Sequence, residues 1–326
     1  MNLAKIQNMQ SKRLARLVDS VGRLPMFHAD IETGVFARRL VTATLAELFR
    51  FEYAENKWAS GELLPLSSEV NEGANEYGYQ EIGYTGRAKL VADNATDIPY
   101  VDVEGRDTIN TIKTLACAFR YSTQEVRTAQ LQGRFDIASE KARGAREAYD
   151  TELNDLLRFG APAFNLAGAT NVPGMLVVNA ATGSWQAATA AQIVADFTAA
   201  ANQLPNLTSG IEMPNTAVFD IASWTRISTL QNSAASDATV LTFLKNAFPM
   251  IASWTWDSGM ATAAQAGGPA VMIYKKDPTR MRGVIPMALR ALPPEQSGLV
   301  FKITLESRFG GVMAPKPRAA LRLDGV

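Results

Sequence analysis

Two side chains limit the chemistry open to this sequence, because Cys117 is its only cysteine and His28 its only histidine. A lone cysteine has no intramolecular disulfide partner, and the two residues together cannot supply the four ligands of a structural zinc site. A nucleophile activated by an imidazole would depend on His28, which lies in a segment, 25–28, that is typical of an arm rather than of a catalytic loop. We interpret His28 as a packing residue and Cys117 as a small core hydrophobe.

The sequence also contains no nucleotide-binding motif. Neither the phosphate-binding pattern G-x-x-x-x-G-K-[ST] nor the dinucleotide-binding pattern G-x-G-x-x-G occurs. Asp and Glu are scattered along the chain, so chemistry that uses carboxylates alone stays open, although no spacing pairs them. The sequence therefore predicts a structural protein with no catalytic residues, no cofactor and no metal.

The composition is that of a globular chain. Its 326 residues are 47% hydrophobic and 20% charged, which suits one large or two smaller domains. The 32 Lys and Arg residues balance the 32 Asp and Glu residues, so bulk charge does not indicate a basic nucleic-acid binder. The sequence has no apolar run of about 18 residues, and its basic N-terminus lacks the apolar core of an export signal. We therefore expect neither a membrane segment nor export.

The zero net charge conceals a strong segregation along the chain. Residues 51–81 have a net charge of −6, residues 270–326 a net charge of +6, and residues 1–50 a net charge of +4. The acidic stretch and the basic tail can attract each other within one subunit or between subunits, or they can be unevenly charged faces in solvent.

The N-terminal third of the chain is predicted to form an arm followed by a long two-stranded excursion, a hairpin that extends from the body of the fold. Apolar residues recur every three or four positions over 2–22, which predicts an amphipathic helix. Residues 60–97 are punctuated by glycines and have few large aliphatic side chains, which predicts a two-stranded excursion with Tyr77 and Tyr79 on one face. Alternation over 111–121 predicts a half-buried strand.

Two helix starts are marked by capping boxes, at Ser122–Glu125 and at Thr189–Gln192. The first predicts a long helix over 122–159 that is weakened at Gly133. The second opens a region in which helices and strands alternate, an α/β block over about 187–285. The chain then returns in further strands, so the block is predicted to be inserted into a first domain.

The order of these parts resembles that of the major capsid proteins of tailed bacteriophages, which have the Hong Kong 97-like fold. The resemblance covers about residues 60–326 and depends on the order of several short motifs rather than on any one of them. They are Tyr84–Lys89, Ala95–Val103, Tyr121–Val126, Val172–Leu176, Leu292–Gln296 and Glu306–Val312.

The resemblance implies an α+β fold with four named parts. They are an N-terminal arm (1–59), an extended β-hairpin loop (60–97), a peripheral domain with a long spine helix (98–186 and 286–326, spine 122–159), and an inserted α/β axial domain (187–285).

The same resemblance implies a virion shell protein, assembled in the bacterial host cytoplasm from many copies in hexameric and pentameric capsomers. The icosahedral shell would enclose double-stranded DNA and engage a portal and a separate scaffolding or decoration protein. One alternative is an encapsulin, which uses the same fold to enclose cargo enzymes. Another, from a different class, is a cytosolic α/β hydrolase that uses carboxylates and has a pocket within 187–285.

In capsids of this type the extended loop of one subunit lies across the peripheral domain of the next, which suggests contacts between these two regions. The candidates for contact between subunits are Glu69, Glu72, Glu76, Tyr77, Tyr79, Arg280, Arg282, Arg308 and Lys316. The candidates for facing DNA are Lys5, Lys12, Arg13 and Arg16. The predicted loop tip, 71–80, contains no lysine, with Lys57 and Lys89 at the base, so we predict no covalent cross-link through it.

Overall fold

The computed structural model describes residues 53–90, 98–132, 137–233 and 236–326. The amphipathic helix predicted over 2–22, His28 and the four basic DNA-facing candidates lie outside these residues. The strands are β1 Leu66–Ser67, β2 Glu76–Thr85, β3 Asp102–Thr111, β4 Lys113–Ser122, β5 Gly160–Ala161, β6 Leu166–Ala167, β7 Leu176–Asn179, β8 Thr216–Phe219, β9 Gln231–Ser233, β10 Ser236–Thr239, β11 Ser253–Trp256, β12 Ala270–Tyr274, β13 Arg282–Val284, β14 Met287–Ala291, β15 Glu295–Ser297, β16 Val300–Phe309, β17 Val312–Met313 and β18 Ala320–Asp324. The α-helices are α1 Thr123–Gln132, α2 Ile137–Phe159, α3 Ala190–Leu207, α4 Ile221–Thr229 and α5 Val240–Ala247, and short 3-10 turns lie at Pro162–Phe164, Ser258–Thr262 and Pro317–Ala319.

The longest hairpin is formed by β2 and β3, which pair antiparallel from Glu76 opposite Thr111 to Thr85 opposite Asp102. Ten residues at about 3.4 Å each give a ladder about 34 Å long. The predicted excursion is therefore present, but its return strand lies at 102–111 and not within 60–97. The glycines that suggested turns, Gly78 and Gly83, lie inside β2, where the backbone is extended.

This register also corrects the predicted loop tip. Residues 71–80 lie at the root of the hairpin, and the far end is the connection that follows Thr85. Lys89 belongs to that connection and not to the base. The absence of a lysine from 71–80 therefore says nothing about a cross-link at the far end of the hairpin.

A second sheet supports the long helical segment. β4 pairs with β16 over ten residue pairs, and β14 and β15 pair with the other edge of β16. Alternate residues of β4 are half-buried, among them Leu115 and Cys117, as the sequence alternation predicted. Helix α2 packs against β4, and the Cys117 thiol lies 3.4 Å from the carbonyl oxygen of Ala145.

The capping box at the start of α1 has the predicted geometry. The Ser122 amide donates to Oε2 of Glu125 at 2.9 Å, and the Glu125 amide donates to Oγ of Ser122 at 3.1 Å. Helix α2 ends at Phe159, where Gly160 has a φ of +69°. A Cβ at Gly160 would collide with the backbone of Leu166 and Gly168, so this stop requires glycine.

The α/β block is built on a five-stranded sheet in the order β11-β8-β12-β18-β7. Its strands β8 and β12 are buried along their whole length, and α3 packs against it. Two of its strands, β7 and β18, come from chain segments outside 187–285, where β12 pairs with β18 and β18 with β7. The sheet thus joins the two predicted domains, whose boundaries stay a prediction.

The end of the predicted arm (1–59) and the start of the predicted loop (60–97) are part of the main core. Trp58, Leu63 and Leu64 are fully buried together with Leu157 of α2. Strand β1 follows and pairs in parallel with β13, which in turn pairs with β17. Residues 57–67 are therefore fastened to the body of the molecule just before the hairpin begins.

Candidate functional site

The β2–β3 hairpin has an inner face that contacts the rest of its own chain. The Tyr77 hydroxyl donates to the carbonyl oxygen of Gly310 at 3.0 Å and accepts from Nδ2 of Asn110 at 3.2 Å. Tyr77 is only 8% exposed, and burial raises the pKa of its hydroxyl to about 12. Tyr79, two residues along the same face, donates to the carbonyl oxygen of Ala314 at 3.4 Å. The two tyrosines share one face as predicted, and that face meets their own subunit.

Gly310 makes the Tyr77 contact possible. A Cβ at this position would lie 2.9 Å from the Tyr77 ring and 3.2 Å from the side chain of Val284. Any larger residue would therefore push the hairpin away from the body.

The acidic segment before the hairpin pairs with basic residues of the same chain. Glu69 and Arg282 form an ion pair at 3.0 Å. Arg308 donates to the backbone carbonyl oxygen of Glu72 at 2.5 Å and to Oδ1 of Asn75 at 2.8 Å. The attraction between the two oppositely charged segments thus acts within one subunit at these positions.

The remaining predicted contact residues are dispersed. Arg280 pairs with the buried Glu212 at 2.8 Å, within the α/β block. Glu76 is exposed at the start of β2, and Lys316 is exposed near the end of the chain. A contact of any of these residues with a second subunit stays a prediction.

The outer face of the hairpin was missed by the sequence reasoning. Ile82 lies opposite Gly105, Tyr84 opposite Val103, and Gly78 opposite Ile109, all on the side away from Tyr77. Ile82, Tyr84, Val103 and Ile109 are 65%, 79%, 58% and 64% exposed. The period-two alternation of β2 and β3 is the signal that was available, but recognising it required their register.

Beyond the ladder, the connection continues this apolar character. Leu90, Ile98, Tyr100 and Val101 are also exposed. Eight of the twenty large apolar side chains exposed in the described part of the chain therefore lie between residues 82 and 109. Such a concentration on a two-stranded hairpin is typical of an interaction surface.

A cleft of about 280 Å³ separates the inner face of the hairpin from the body. Glu81 and Arg106 line its hairpin side, and Asn171, Pro173 and Pro317 lie on the opposite wall. The described residues contain no group of three or more His, Cys, Asp and Glu side chains that could hold a metal ion. Among the described residues that line this cleft, we find no nucleophile paired with a base.

A buried charged cluster lies where the chain enters the described region. Nε of Arg158 is 2.8 Å from Oδ2 of Asp257, and its Nη2 donates to Oδ1 of the same carboxylate at 3.0 Å. The indole nitrogen of Trp58 donates to Oδ2 of Asp257 at 3.1 Å, and Oδ1 of Asn154 accepts from the Trp58 amide at 3.0 Å. The cluster joins three distant parts of the chain and makes no catalytic arrangement.

No helix in the described ranges is both long and apolar enough to cross a membrane.

Comparison with known proteins gives consistent results. A model of the family described as "Major capsid protein" matches residues 86–326, which is most of the chain. The capsid of Myoviridae phage XM1 is similar in structure, with a TM-score of 0.76 and 15% sequence identity over 88% of this chain and 98% of that chain. No curated protein sequence matches.

Two further solved structures share the fold. A protein of Mycobacterium phage Bobi has a TM-score of 0.61 and 15% identity over 91% of this chain and 100% of that chain. A virus-like particle from Pyrococcus furiosus has a TM-score of 0.53 and 13% identity over 81% of this chain and 91% of that chain. These likenesses confirm the predicted α+β, Hong Kong 97-like capsid fold.

The family match decides between the predicted functions. It favours the capsid over both the encapsulin and the hydrolase, because the matching model is that of major capsid proteins and includes strand β3, helix α2 and the whole α/β block. The chain therefore belongs to the major capsid protein family and is a capsid shell protein.

Proposed function

We propose that many copies of this chain assemble into the hexameric and pentameric capsomers of an icosahedral head, the shell of a tailed bacteriophage or prophage around double-stranded DNA. The observation that carries the proposal is the β2–β3 hairpin. A two-stranded hairpin is marginally stable alone in water, and the outer face of this one has exposed apolar side chains. A second subunit is the support that a shell provides.

The four predicted parts take the following roles in this proposal. Residues 1–59 form an N-terminal arm whose last turn is anchored in the main core by Trp58, and the extended loop reaches a neighbouring subunit. The peripheral domain, with the predicted spine over 122–159 (α1 and α2), lies along the edge of a capsomer, and the α/β block lies towards its centre. The shared sheet of β7, β12 and β18 supports a rigid connection between these last two parts, because its ladders cross the predicted boundary.

In the same proposal the basic side chains of the arm face the packaged DNA. Lys5, Lys12, Arg13 and Arg16 would contact phosphates in a salt-sensitive and sequence-independent way. We expect their joint replacement by Gln to lower DNA retention in particles and to flatten its dependence on salt. Unchanged retention and an unchanged salt response would assign the arm to contacts with other subunits instead.

The proposed role is non-catalytic and needs no cofactor. The other partners are a portal and a separate scaffolding or decoration protein, and assembly takes place in the cytoplasm of the bacterial host. The virion shell is the final location of the protein.

Electron microscopy of the purified, expressed protein tests the proposal. We expect closed shells, or rings of five or six subunits, that become more abundant as the protein concentration rises. A monomer of 35.3 kDa at every concentration and salt condition would contradict it.

A further inference from the structure

Strand β18 has two buried charged side chains in the interior of the five-stranded sheet. Arg322 and Asp324 are 5% and 6% exposed, and their strand lies between β12 and β7. Buried charges are costly unless they are paired and hydrogen-bonded, so this position requires partners for both of them.

The two side chains bind each other and one backbone group each. Nε and Nη2 of Arg322 donate to Oδ1 and Oδ2 of Asp324 at 2.6 and 3.0 Å. Nη1 of Arg322 also donates to the carbonyl oxygen of the buried Thr170 at 2.6 Å, and the Gln265 amide donates to Oδ2 of Asp324 at 3.0 Å. The pair therefore directs a donor towards residue 170 and an acceptor towards residue 265.

These two backbone groups belong to segments on opposite sides of β18. Among the described strands, β7 pairs with β18 alone, and β18 pairs with β12 on its other side. Thr170 precedes β7 in the chain, and Gln265 precedes β12. The pair thus connects the segment that leads into β7 with the segment that leads into β12.

We propose that the Arg322–Asp324 pair locks β18 in one register and thereby couples β7 and the loop at Thr170 to the α/β block. The inference goes beyond the proposed function and does not depend on it, because it concerns a single subunit.

The apolar side of β18 separates poorly the registers that differ by two residues. Leu321 and Leu323 both contribute to the core of the α/β block. A shift by one residue would turn both leucines to the opposite face of the sheet, whereas a shift by two residues puts one leucine into the site of the other.

The polar side rejects a two-residue shift in either direction. One shift brings Asp324 to the site of Arg322 and sets its carboxylate against the Thr170 carbonyl oxygen, which places two acceptors together without a donor. The opposite shift brings Arg322 to the site of Asp324 and sets its guanidinium against the Gln265 amide, which places two donors together without an acceptor. Buried polar groups without partners are costly, so the observed register is the one that satisfies all four groups.

Hydrogen exchange of the full-length chain, measured by mass spectrometry with every variant in the same assembly state, tests the coupling. Arg322→Met removes the donor to Thr170 and leaves the Asp324 carboxylate without its cation. We expect exchange in β7 and β18 to become roughly tenfold faster or more, while exchange in the β8–β11 ladder changes by less than about twofold. Arg322→Lys keeps the charge without the planar fork and should give the same pattern with a smaller amplitude.

Arg280→Met is the matched control. Arg280 pairs with the buried Glu212 at 2.8 Å in the same α/β block, but neither residue belongs to β7 or β18. This variant should leave exchange in β7 and β18 within about twofold of the wild type. Equal acceleration in all strands of the Arg322 variant, or a chain that fails to fold, would assign the pair to global stability and overturn the proposal. Acceleration of β7 and β18 by the control would overturn it as well.

A charge-swapped double variant, Arg322→Asp with Asp324→Arg, distinguishes the lock from an ordinary ion pair. It keeps the net charge and the two side-chain types, but it sets an acceptor against Thr170 and a donor against Gln265. We expect exchange in β7 and β18 to be at least as fast as in Arg322→Met. Wild-type protection in the swapped variant would show that any ion pair suffices at these positions and would contradict the register lock.

Discussion

At the scale of single residues, Tyr77 connects the hairpin to the body through one buried hydroxyl. It bonds Gly310 and Asn110 at once, and its ring fills the space that the missing Gly310 side chain leaves. Burial favours the neutral phenol, so its pKa rises from 10.0 to about 12. The stability that this hydroxyl gives to the root of the hairpin should therefore decrease at alkaline pH.

We predict that Tyr77→Phe lowers the free energy of unfolding by about 1 kcal/mol at pH 8, the usual net contribution of a buried hydrogen bond. The native state holds the Tyr77 proton more tightly than the unfolded state, so the wild type loses stability as the pH rises from 10 to 12. The phenylalanine variant has no hydroxyl to titrate at this position, and the difference between the two proteins should shrink across that window.

Urea unfolding at pH 8, 10 and 11.5 measures this difference. The other buried tyrosines, Tyr149 and Tyr274, titrate in both proteins and cancel in the comparison. A difference that stays constant from pH 8 to pH 11.5 would show that the Tyr77 hydroxyl titrates normally.

Asp257 is a second residue whose role can be tested, because removing one of its partners alone would leave its buried carboxylate without compensation. It is buried and accepts bonds from Arg158 and Trp58. Arg158→Met would leave its carboxylate buried without the guanidinium, and we expect a loss of about 3–5 kcal/mol in the free energy of unfolding. Adding Asp257→Asn removes the uncompensated charge and should recover part of that loss. Urea unfolding of the wild type, the two single variants and the double variant tests this, and a double variant as unstable as the sum of the singles would contradict a direct coupling.

At the scale of elements, helix α2 packs against β4 and has small side chains on its half-buried side. Ala142 and Ala145 are half-buried, and Cys117 of β4 approaches the backbone of Ala145. Small residues allow the helix and the sheet to approach closely, and a close approach leaves little room for added methylene groups.

We predict that Ala142→Leu costs about 1–3 kcal/mol in the free energy of unfolding through overpacking. Ala148→Leu is the matched control, because Ala148 is exposed on the same helix and the identical change there should be within about 0.5 kcal/mol of neutral. Thermal unfolding measures both. Wild-type stability in the Ala142 variant would show that this face of α2 accommodates a larger side chain without strain.

At the scale of the whole molecule, the oppositely charged segments pair within one subunit, and a role for them between subunits stays a prediction. Glu69 and Arg282 pair within one chain, and Arg308 binds the backbone before the hairpin. Each exposed pair contributes about 0–1 kcal/mol, so a single pair does little. If the same residues also contact a second subunit, as we predict, such small contributions would add up over the many repeated interfaces of a shell.

We predict that the joint reversal of Glu69, Glu72 and Glu76 to Lys slows assembly and leaves the subunit folded by circular dichroism. Complementary charge steers association and register more than it adds affinity, so light scattering should show the largest effect at low salt. Adding Arg282→Glu should restore part of the rate. Normal shells from the triple variant, with the salt dependence of the wild type, would show that these charges contribute to solubility and not to assembly.

Local signals in the sequence determined the helix starts, the helix stop and the alternation of β4. Ser122 and Glu125 cap α1 because the bond spans only three residues, and Gly160 ends α2 because it alone tolerates the local backbone. The order of the motifs also determined the family. Each of these depends on residues close together in the chain, or on a sequence pattern that needs no coordinates.

Only the tertiary structure decided which strands pair and which faces are covered. The return strand of the hairpin, the entry of β7 and β18 into the central sheet, and the pairing of Glu69 with Arg282 all join residues far apart in sequence. A period of two indicates that Tyr77 and Ile82 point to opposite sides, but both are apolar and the period assigns neither side to the body. The contact with Gly310 makes that choice, because the space for the Tyr77 ring exists only once residues 77, 284 and 310 are brought together.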